Sequence, residues 1–328
     1  AIGGSIPERV SVERPKNRDH GDFATSAALQ LAKSAGIPPR EIAQLLATSF
    51  AEIDGVEKAE IAGPGFINLT LVSGAQSAIV KTVLEEGKKF GEGNLLAGVK
   101  INLEFISANP TGPLHLGHTR WAAVGDALGR VLSAAGAAVT REFYINDRGR
   151  QMDLFGQSVQ AAATGQPIPE DGYQGDYIAD LAREVLATNP AISTTEEFRE
   201  AAYKVQLAQQ QRVLETFHTT FDVWFSERSL HESGAVEHGL EKLRSQGHVF
   251  EEAGAVWLRT SDFGDDKDRV IVKEDGALTY FASDTAYYIN KRERGFDICI
   301  YMLGADHHGY IHRLKATAAC AGDNPEYN

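Results

Sequence analysis

The chain has 328 residues, 43% of them hydrophobic, and a formal net charge of −13. That is enough apolar material for two or three domain cores, and too acidic a body to hold nucleic acid by bulk electrostatics, so any such contact must be local. Cys299 and Cys320 alone argue against a disulfide framework or a cysteine zinc site and for a reducing cytosol; no apolar run approaches a membrane span, so no membrane association is expected.

Ala1 to Val10 carry neither an initiator Met nor a signal-peptide pattern, and Asp323 to Asn328 stop just past a helical pattern, so a fragment is expected at both ends. Helical periodicity runs over Phe23 to Ala35 and Arg40 to Phe50, broken at Pro38-Pro39. Val56 to Ala62 and Phe66 to Val72 read as strands around Gly63-Pro64-Gly65, with a helix from Gln76 to Glu86. Four glycines between positions 87 and 98 mark the end of a small α+β domain, 1–95.

From Val99 the pattern becomes strand (Val99 to Ile106), loop, helix (Thr119 to Ala135), strand (Ala138 to Ile145). This is a parallel βαβ unit of a doubly wound, Rossmann-like sheet, which binds ligands at the carboxyl ends of its strands. Residues 96–163 are taken as its first half and the polar helical stretch 164–262, including Thr195 to Phe221, as an insertion. The second half, 263–328, resumes with Val270 to Val272, a helix from Phe281 to Arg294, the strand Ile298 to Leu303 and a helix from Tyr310 to Ala321.

Three clusters fall at expected strand ends. The first holds Glu104, Ser107 and Asn109 with His115 and His118. These two histidines flank Gly117 where a Pro/Gly-rich turn becomes a helix. Free helix N–H groups, the positive end of the dipole and two imidazoles make an anion site, and Gly117 lets a flat ligand approach, so a nucleotide triphosphate is the natural occupant. The second cluster is Thr279 to Asp284, with Tyr280 and Asp284 on one helix face if the helix begins early. The third is Gly304 to Gly309, with Asp306, His307 and His308. No Walker-type or dinucleotide glycine loop is present, so the histidine turn must handle phosphate. Read by themselves, Glu104 also fits a strand-end ion-pair partner, Asp284 a carboxylate at a helix N-terminus, and His307 and His308 a surface pair; no metal site is expected, since nothing completes a tetrahedral zinc set.

The run Leu103 to Gln151, with Glu-Phe-Ile-Ser-Ala-Asn-Pro-Thr-Gly-Pro-Leu-His-Leu-Gly-His and then Tyr144-Ile145-Asn146-Asp147-Arg148-Gly149, resembles the first half of a class I aminoacyl-tRNA synthetase, and more narrowly an arginyl-tRNA synthetase. Glu13 to Ala24, Lys273 to Asp284 and Gly304 to Ile311 are similar to the same family. The resemblance implies arginine activation with ATP and Mg²⁺, then transfer to the 2′-hydroxyl of tRNA(Arg). It implies that Glu104, Ser107 and Asn109 hold the amino-acid end of L-arginine and that Tyr280 and Asp284 line its side-chain pocket. His115, Gly117 and His118 would serve the triphosphate, and Gly304, Asp306 and His307 the nucleotide. A guanidinium offers five donors in a planar fork and no acceptor, so carboxylates at fixed geometry are the chemistry such a pocket needs.

The N-terminal domain resembles one used against the tRNA elbow, with Arg14, Lys16, Arg18, His20 and Phe23 as cations beside an aromatic. A lysine loop of Lys-Met-Ser-Lys type and a helical anticodon-binding domain belong to the family and are absent from this sequence. The lysine that some members carry before the histidine motif is replaced here by Gly112. A monomer truncated before those parts is therefore expected. Competing readings are a nucleotidylyltransferase, a class I synthetase for another amino acid, and a catalytically silent tRNA-binding paralogue.

Overall fold

The computed structural model of the chain describes residues 9–304 and 309–327, and they fall into two compact units divided between Gly91 and Glu92. In the first unit, β1 (Val12–Glu13), β2 (Phe23–Thr25), β3 (Val56–Ala62) and β4 (Phe66–Leu71) make an antiparallel sheet in the order β1, β2, β4, β3. Helices α1 (Ala27–Ala35) and α2 (Pro39–Ala51) pack on it through Ala28, Ile42, Ala43, Ala47 and Ile67, and α3 (Ala75–Glu86) follows. Phe23 to Thr25, expected to open a helix, is instead a strand paired to β4; tertiary pairing overrides a local helical pattern in so short a stretch. Arg14 lies 5.9 Å from the centroid of the Phe23 ring, and both line a recess with Asp19, Asp22, Lys58 and Glu60. The side chain of Arg18 lies outside the described residues.

The second unit opens with β5 (Lys100–Glu104), α4 (Leu116–Ala134) and β6 (Ala138–Ile145), then runs through the helices α5 (Arg150–Thr164), α6 (Asp176–Thr188) and α7 (Thr195–Thr216) to β7 (Val223–Ser226). After α8 (Glu227–Glu232) and α9 (Ala235–Ser245) come β8 (Val249–Glu252), β9 (Ala255–Leu258) and β10 (Arg269–Val272), and then α10 (Tyr280–Glu293), β11 (Ile298–Tyr301) and α11 (Tyr310–Cys320). Among the described residues, β11, β5, β6 and β7 pair in that order, all parallel.

The chain thus leaves β5 toward β6 and β7 and returns to the other flank as β11. The reversal of strand order falls between β5 and β11, the switch point where such sheets bind ligands.

Two expectations about this sheet are corrected. Val223 to Ser226, placed within an insertion, pairs parallel with β6 and belongs to the sheet. Val270 to Val272, expected to resume the parallel sheet, pairs antiparallel with β9 in a separate sheet of β8, β9 and β10. Both are four-residue strands, too short for periodicity to report what they pair with.

Side chains alternate across the sheet. Phe143 and Ile145 of β6 join Ala122 of α4 and Leu214 of α7 in one apolar cluster. On the opposite face Asn102 of β5 donates to Glu142 of β6, and Glu104 and Glu142 meet Tyr287 of α10 and Arg294, which ends that helix. Helices therefore cover both faces. On the α4 face Gly125 sits against the fully buried Phe105, and a Cβ there would collide with the ring. Gly125→Ala gains about 1 kcal/mol of helix propensity but overpacks this contact at a cost of about 1–3 kcal/mol. A net loss of stability is expected in urea denaturation of the variant.

Candidate active site

The turn before α4 is held from outside. Gln210 of α7, almost fully buried, donates through Nε2 to the carbonyls of Asn109 (3.0 Å) and Gly112 (2.8 Å), and Tyr177 of α6 donates to the carbonyl of Thr111 at 2.9 Å. The helix then begins at Leu116, a turn earlier than its apolar periodicity implied, because the histidines cap it. His115 is the N-cap residue and its Nδ1 accepts from the Gly117 N–H at 3.1 Å, while His118 Nδ1 accepts from the His115 N–H at 3.2 Å.

With both Nδ1 atoms accepting, each neutral ring carries its proton on Nε2. The rings lie 3.8 Å apart, centroid to centroid. Burial, with His115 as neighbour, lowers the His118 pKa and keeps that ring neutral. Gly117 is closely approached by the His115 ring, 3.0 Å from where a Cβ would stand. The result is a helix N-terminus that puts the positive end of its dipole and two imidazole Nε2–H donors together, which is an anion site.

At the end of β5, Ile106 (φ 70°) and Ser107 (φ 45°) both adopt left-handed backbone, a costly conformation for a β-branched residue that persists where surrounding structure enforces it. The turn brings the Ser107 hydroxyl to donate to Glu104 Oε1 at 3.0 Å while accepting from the Tyr144 N–H at 3.2 Å. Glu104 Oε2 accepts from Lys291 Nζ at 2.5 Å and from Tyr287 Oη at 2.9 Å. Tyr287 Oη also lies 2.5 Å from Oε1 of the buried Glu142, which Arg294 clamps with two donors at 2.6 and 2.9 Å. Burial alone would raise the Glu142 pKa; Arg294, Lys291 and Tyr287 outweigh it and hold the carboxyl below its ordinary range.

Glu104, Ser107, His115, Gly117, His118, Tyr280, Asp284 and Gly304 all line one cavity of about 580 Å³ at the carboxyl ends of β5 and β11, where Tyr301 stands in register with Glu104. Asn109 is not among its lining residues; its side-chain amide is exposed and donates to Gln151 at 2.8 Å. Asp306 and His307, with His308, lie outside the described residues. Among the described residues no group of three or more His, Cys, Asp or Glu is arranged to hold a metal ion, and no helix is long and apolar enough to cross a membrane.

The structure adds residues to the cavity that sequence reasoning passed over. Glu227, at the start of α8, lines it together with Tyr144, Tyr287 and Tyr310. Glu227 is buried, and burial raises its pKa against hydrogen bonds from Tyr144 and Ser283. Asp284, hydrogen-bonded by Tyr310, is pushed up to about 6, chiefly by burial, with Glu227 and Glu104 adding to the shift and Tyr310 and Arg313 opposing it. The one sequence signal for Glu227 was an acidic residue directly after a strand, hidden because that strand was read as part of an insertion. Three carboxylates thus face one cavity, and burial raises the pKa of two of them, Glu227 and Asp284. Such a site favours a cationic ligand that supplies the missing charge.

Two family models match the chain: arginyl tRNA synthetase N terminal domain over residues 2–71, and tRNA synthetases class I (R), catalytic domain, over residues 79–328. Curated arginine–tRNA ligases from Pseudarthrobacter chlorophenolicus and Kineococcus radiotolerans are 56% and 55% identical over 99% and 98% of this chain. The chain spans about 60% of the length of these relatives. A structure from Campylobacter jejuni described as an arginyl-tRNA synthetase superposes with a TM-score of 0.71 at 36% identity, covering 76% of this chain and 57% of its own. The Thermus thermophilus arginyl-tRNA synthetase, at 23% identity, shares the fold with a TM-score of 0.70 over 98% of this chain and 61% of its own. With a catalytic-domain model matched from residue 79 to residue 328 on a parallel Rossmann-like sheet, the chain belongs to the class I arginyl-tRNA synthetase family.

Proposed function

We propose that this chain carries the amino-acid and nucleotide sites of an enzyme that activates L-arginine as its adenylate and transfers it to tRNA(Arg). The observation that carries this reading is the convergence of Glu104, Asp284 and Glu227 on a cavity whose other wall is the histidine-capped N-terminus of α4. Arginine has two cationic ends and one carboxylate. In this reading its guanidinium lies between Asp284 and Glu227, beside the ring of Tyr280, and its α-ammonium meets Glu104 and Ser107, with Asn109 turning in from the rim.

The arginine carboxylate oxygen then attacks the α-phosphorus of ATP in line, and the bond to the bridging oxygen breaks with its electrons leaving on pyrophosphate. Such a step needs positioning and charge stabilisation more than proton transfer. The Nε2–H groups of His115 and His118, at the positive end of the α4 dipole, would supply donors to the phosphates. Mg²⁺ would travel with the triphosphate on its oxygens, the habit of that ion, and neutralise part of its charge. Gly304 and the segment after it, including Asp306 and His307, would contact the nucleoside. The 2′-hydroxyl of the terminal tRNA adenosine afterwards displaces AMP from the adenylate, while the N-terminal domain, 1–95, rests on the tRNA elbow. The enzyme would work in the cytosol.

Calorimetric titration with L-arginine, L-lysine and L-citrulline tests the assignment. Arginine alone is expected to bind well, because buried carboxylates left without matching donors reject analogues by factors on the order of 10⁴. Asp284→Asn should weaken arginine by at least about tenfold, as expected for loss of a charged hydrogen-bond partner, with ATP affinity unaffected. Equal binding of citrulline and arginine would sink the reading.

The pH dependence follows from Asp284. Its folded-state pKa of about 6 lies above the ordinary carboxylate value, so the folded protein prefers it protonated, and stability falls as pH rises from about 4 to about 6. A guanidinium binds the ionised form. Arginine affinity should therefore drop as pH falls through about 6, approaching a tenfold loss per pH unit, with proton release on binding near that pH. Titrations in buffers of different ionisation enthalpy measure both, and Asp284→Asn should flatten the profile.

A further inference from the structure

Lys291 has no solvent exposure at all. A lysine so placed is tolerated only when its charge is answered, and the carboxylate that answers it is Glu104, 2.5 Å from Nζ. The ammonium also lies 3.9 Å from the centroid of the Tyr301 ring and 4.4 Å from that of Tyr287, so aromatic faces supply the rest of its solvation. Lys291 stands on α10, the helix that carries Tyr280 and Asp284, whereas Glu104 ends β5.

We infer that Lys291, with Tyr287, is a positioning residue: it holds Glu104 in one orientation and fixes the spacing between the Glu104 and Asp284 carboxylates that the two ends of arginine bridge. This rests on the functional reading above. The atoms divide the work. Glu104 Oε2 is occupied by Lys291 and Tyr287, so the carboxylate cannot rotate without stranding a buried ammonium. Among the described residues Oε1 accepts the Ser107 hydroxyl alone and is the oxygen left for an α-ammonium. Tyr287 has one proton and two carboxylate neighbours, Glu104 and Glu142. The phenol lies nearer Glu142, at 2.5 Å, than Glu104, at 2.9 Å, so its proton is shared between the two carboxylates, and the other donors to Glu142, from Arg294 and Asn102, leave part of it for Glu104. The pair thereby joins the strand that carries one subsite to the helix that carries the other.

The test compares L-arginine with 5-guanidinopentanoic acid, which has the guanidinium and the carboxylate but no α-ammonium, by calorimetry on the intact protein. Lys291→Met should weaken arginine at least about tenfold and leave the analogue within about twofold; Tyr287→Phe should weaken arginine about threefold and again spare the analogue, as expected for losing one hydrogen bond to a charged group. In a Glu104→Gln background neither change should cost more, since the group they orient has lost its charge. Parallel loss of both ligands would mean a structural role only and overturn the inference, as would unchanged arginine binding in both variants. If Lys291→Met fails to fold, as its melting curve would show, Tyr287→Phe decides alone. An unaltered protein that binds arginine no better than the analogue overturns the ammonium assignment of Glu104, and one that binds neither overturns the functional reading itself.

Discussion

The second unit is organised around a set of ionised groups buried where a parallel sheet normally packs hydrocarbon. Glu104 and Glu142 project from adjacent strands, and Lys291 and Arg294, from α10 and the residue that ends it, meet them, with Tyr287 between the two pairs. Two negative and two positive charges leave the group close to neutral, which is what makes its burial tolerable. Its geometry is less forgiving than an apolar interface, because a shift that costs one bond leaves a charge exposed to a low-dielectric interior. The position of α10 over the sheet, and hence of Tyr280 and Asp284 at the cavity, follows from that requirement.

The second organising element is the start of α4. Histidine is an uncommon N-cap, and here two of them cap one another's backbone groups through Nδ1. In the proposed function capping and ligand chemistry would be the same act: using Nδ1 for the helix leaves Nε2–H for a phosphate. Gln210 and Tyr177 hold the preceding turn by its carbonyls, so the helical stretch between β6 and β7 sets the approach angle of the histidines without touching the cavity itself.

Between these elements the cavity concentrates like charge. Glu227 raises the proton affinity of Asp284, and the hydrogen-bond partners of the two include the hydroxyls of Tyr144, Ser283 and Tyr310. A hydroxyl stabilises a carboxylate without neutralising it. The unmet demand for positive charge is therefore stored in the fold, and a cationic ligand satisfies it on arrival.

Much of this was legible in the chain itself. The apolar run into Glu104, the Pro/Gly turn and the histidines at a helix start are local features, and local periodicity and capping chemistry report them; so do the strand β6 and the helices α2, α7 and α10, whose patterns are long. The family resemblance rested on the same stretches. What the chain could not announce was partnership at a distance. Lys291 and Arg294 read as ordinary basic residues in the last turn of a helix, Glu142 as one polar residue in a strand, and Glu227 as part of a polar insertion; each acquires its role from a distant group, Tyr144 lying 83 positions from Glu227, Arg294 152 from Glu142 and Glu104 187 from Lys291. Short strands behaved the same way: β10 was expected as a strand and β7 was not, and pairing settled which sheet each joined. Sequence determines elements through interactions within a few residues; only the folded chain decides which buried charges meet, because that depends on where the elements cross.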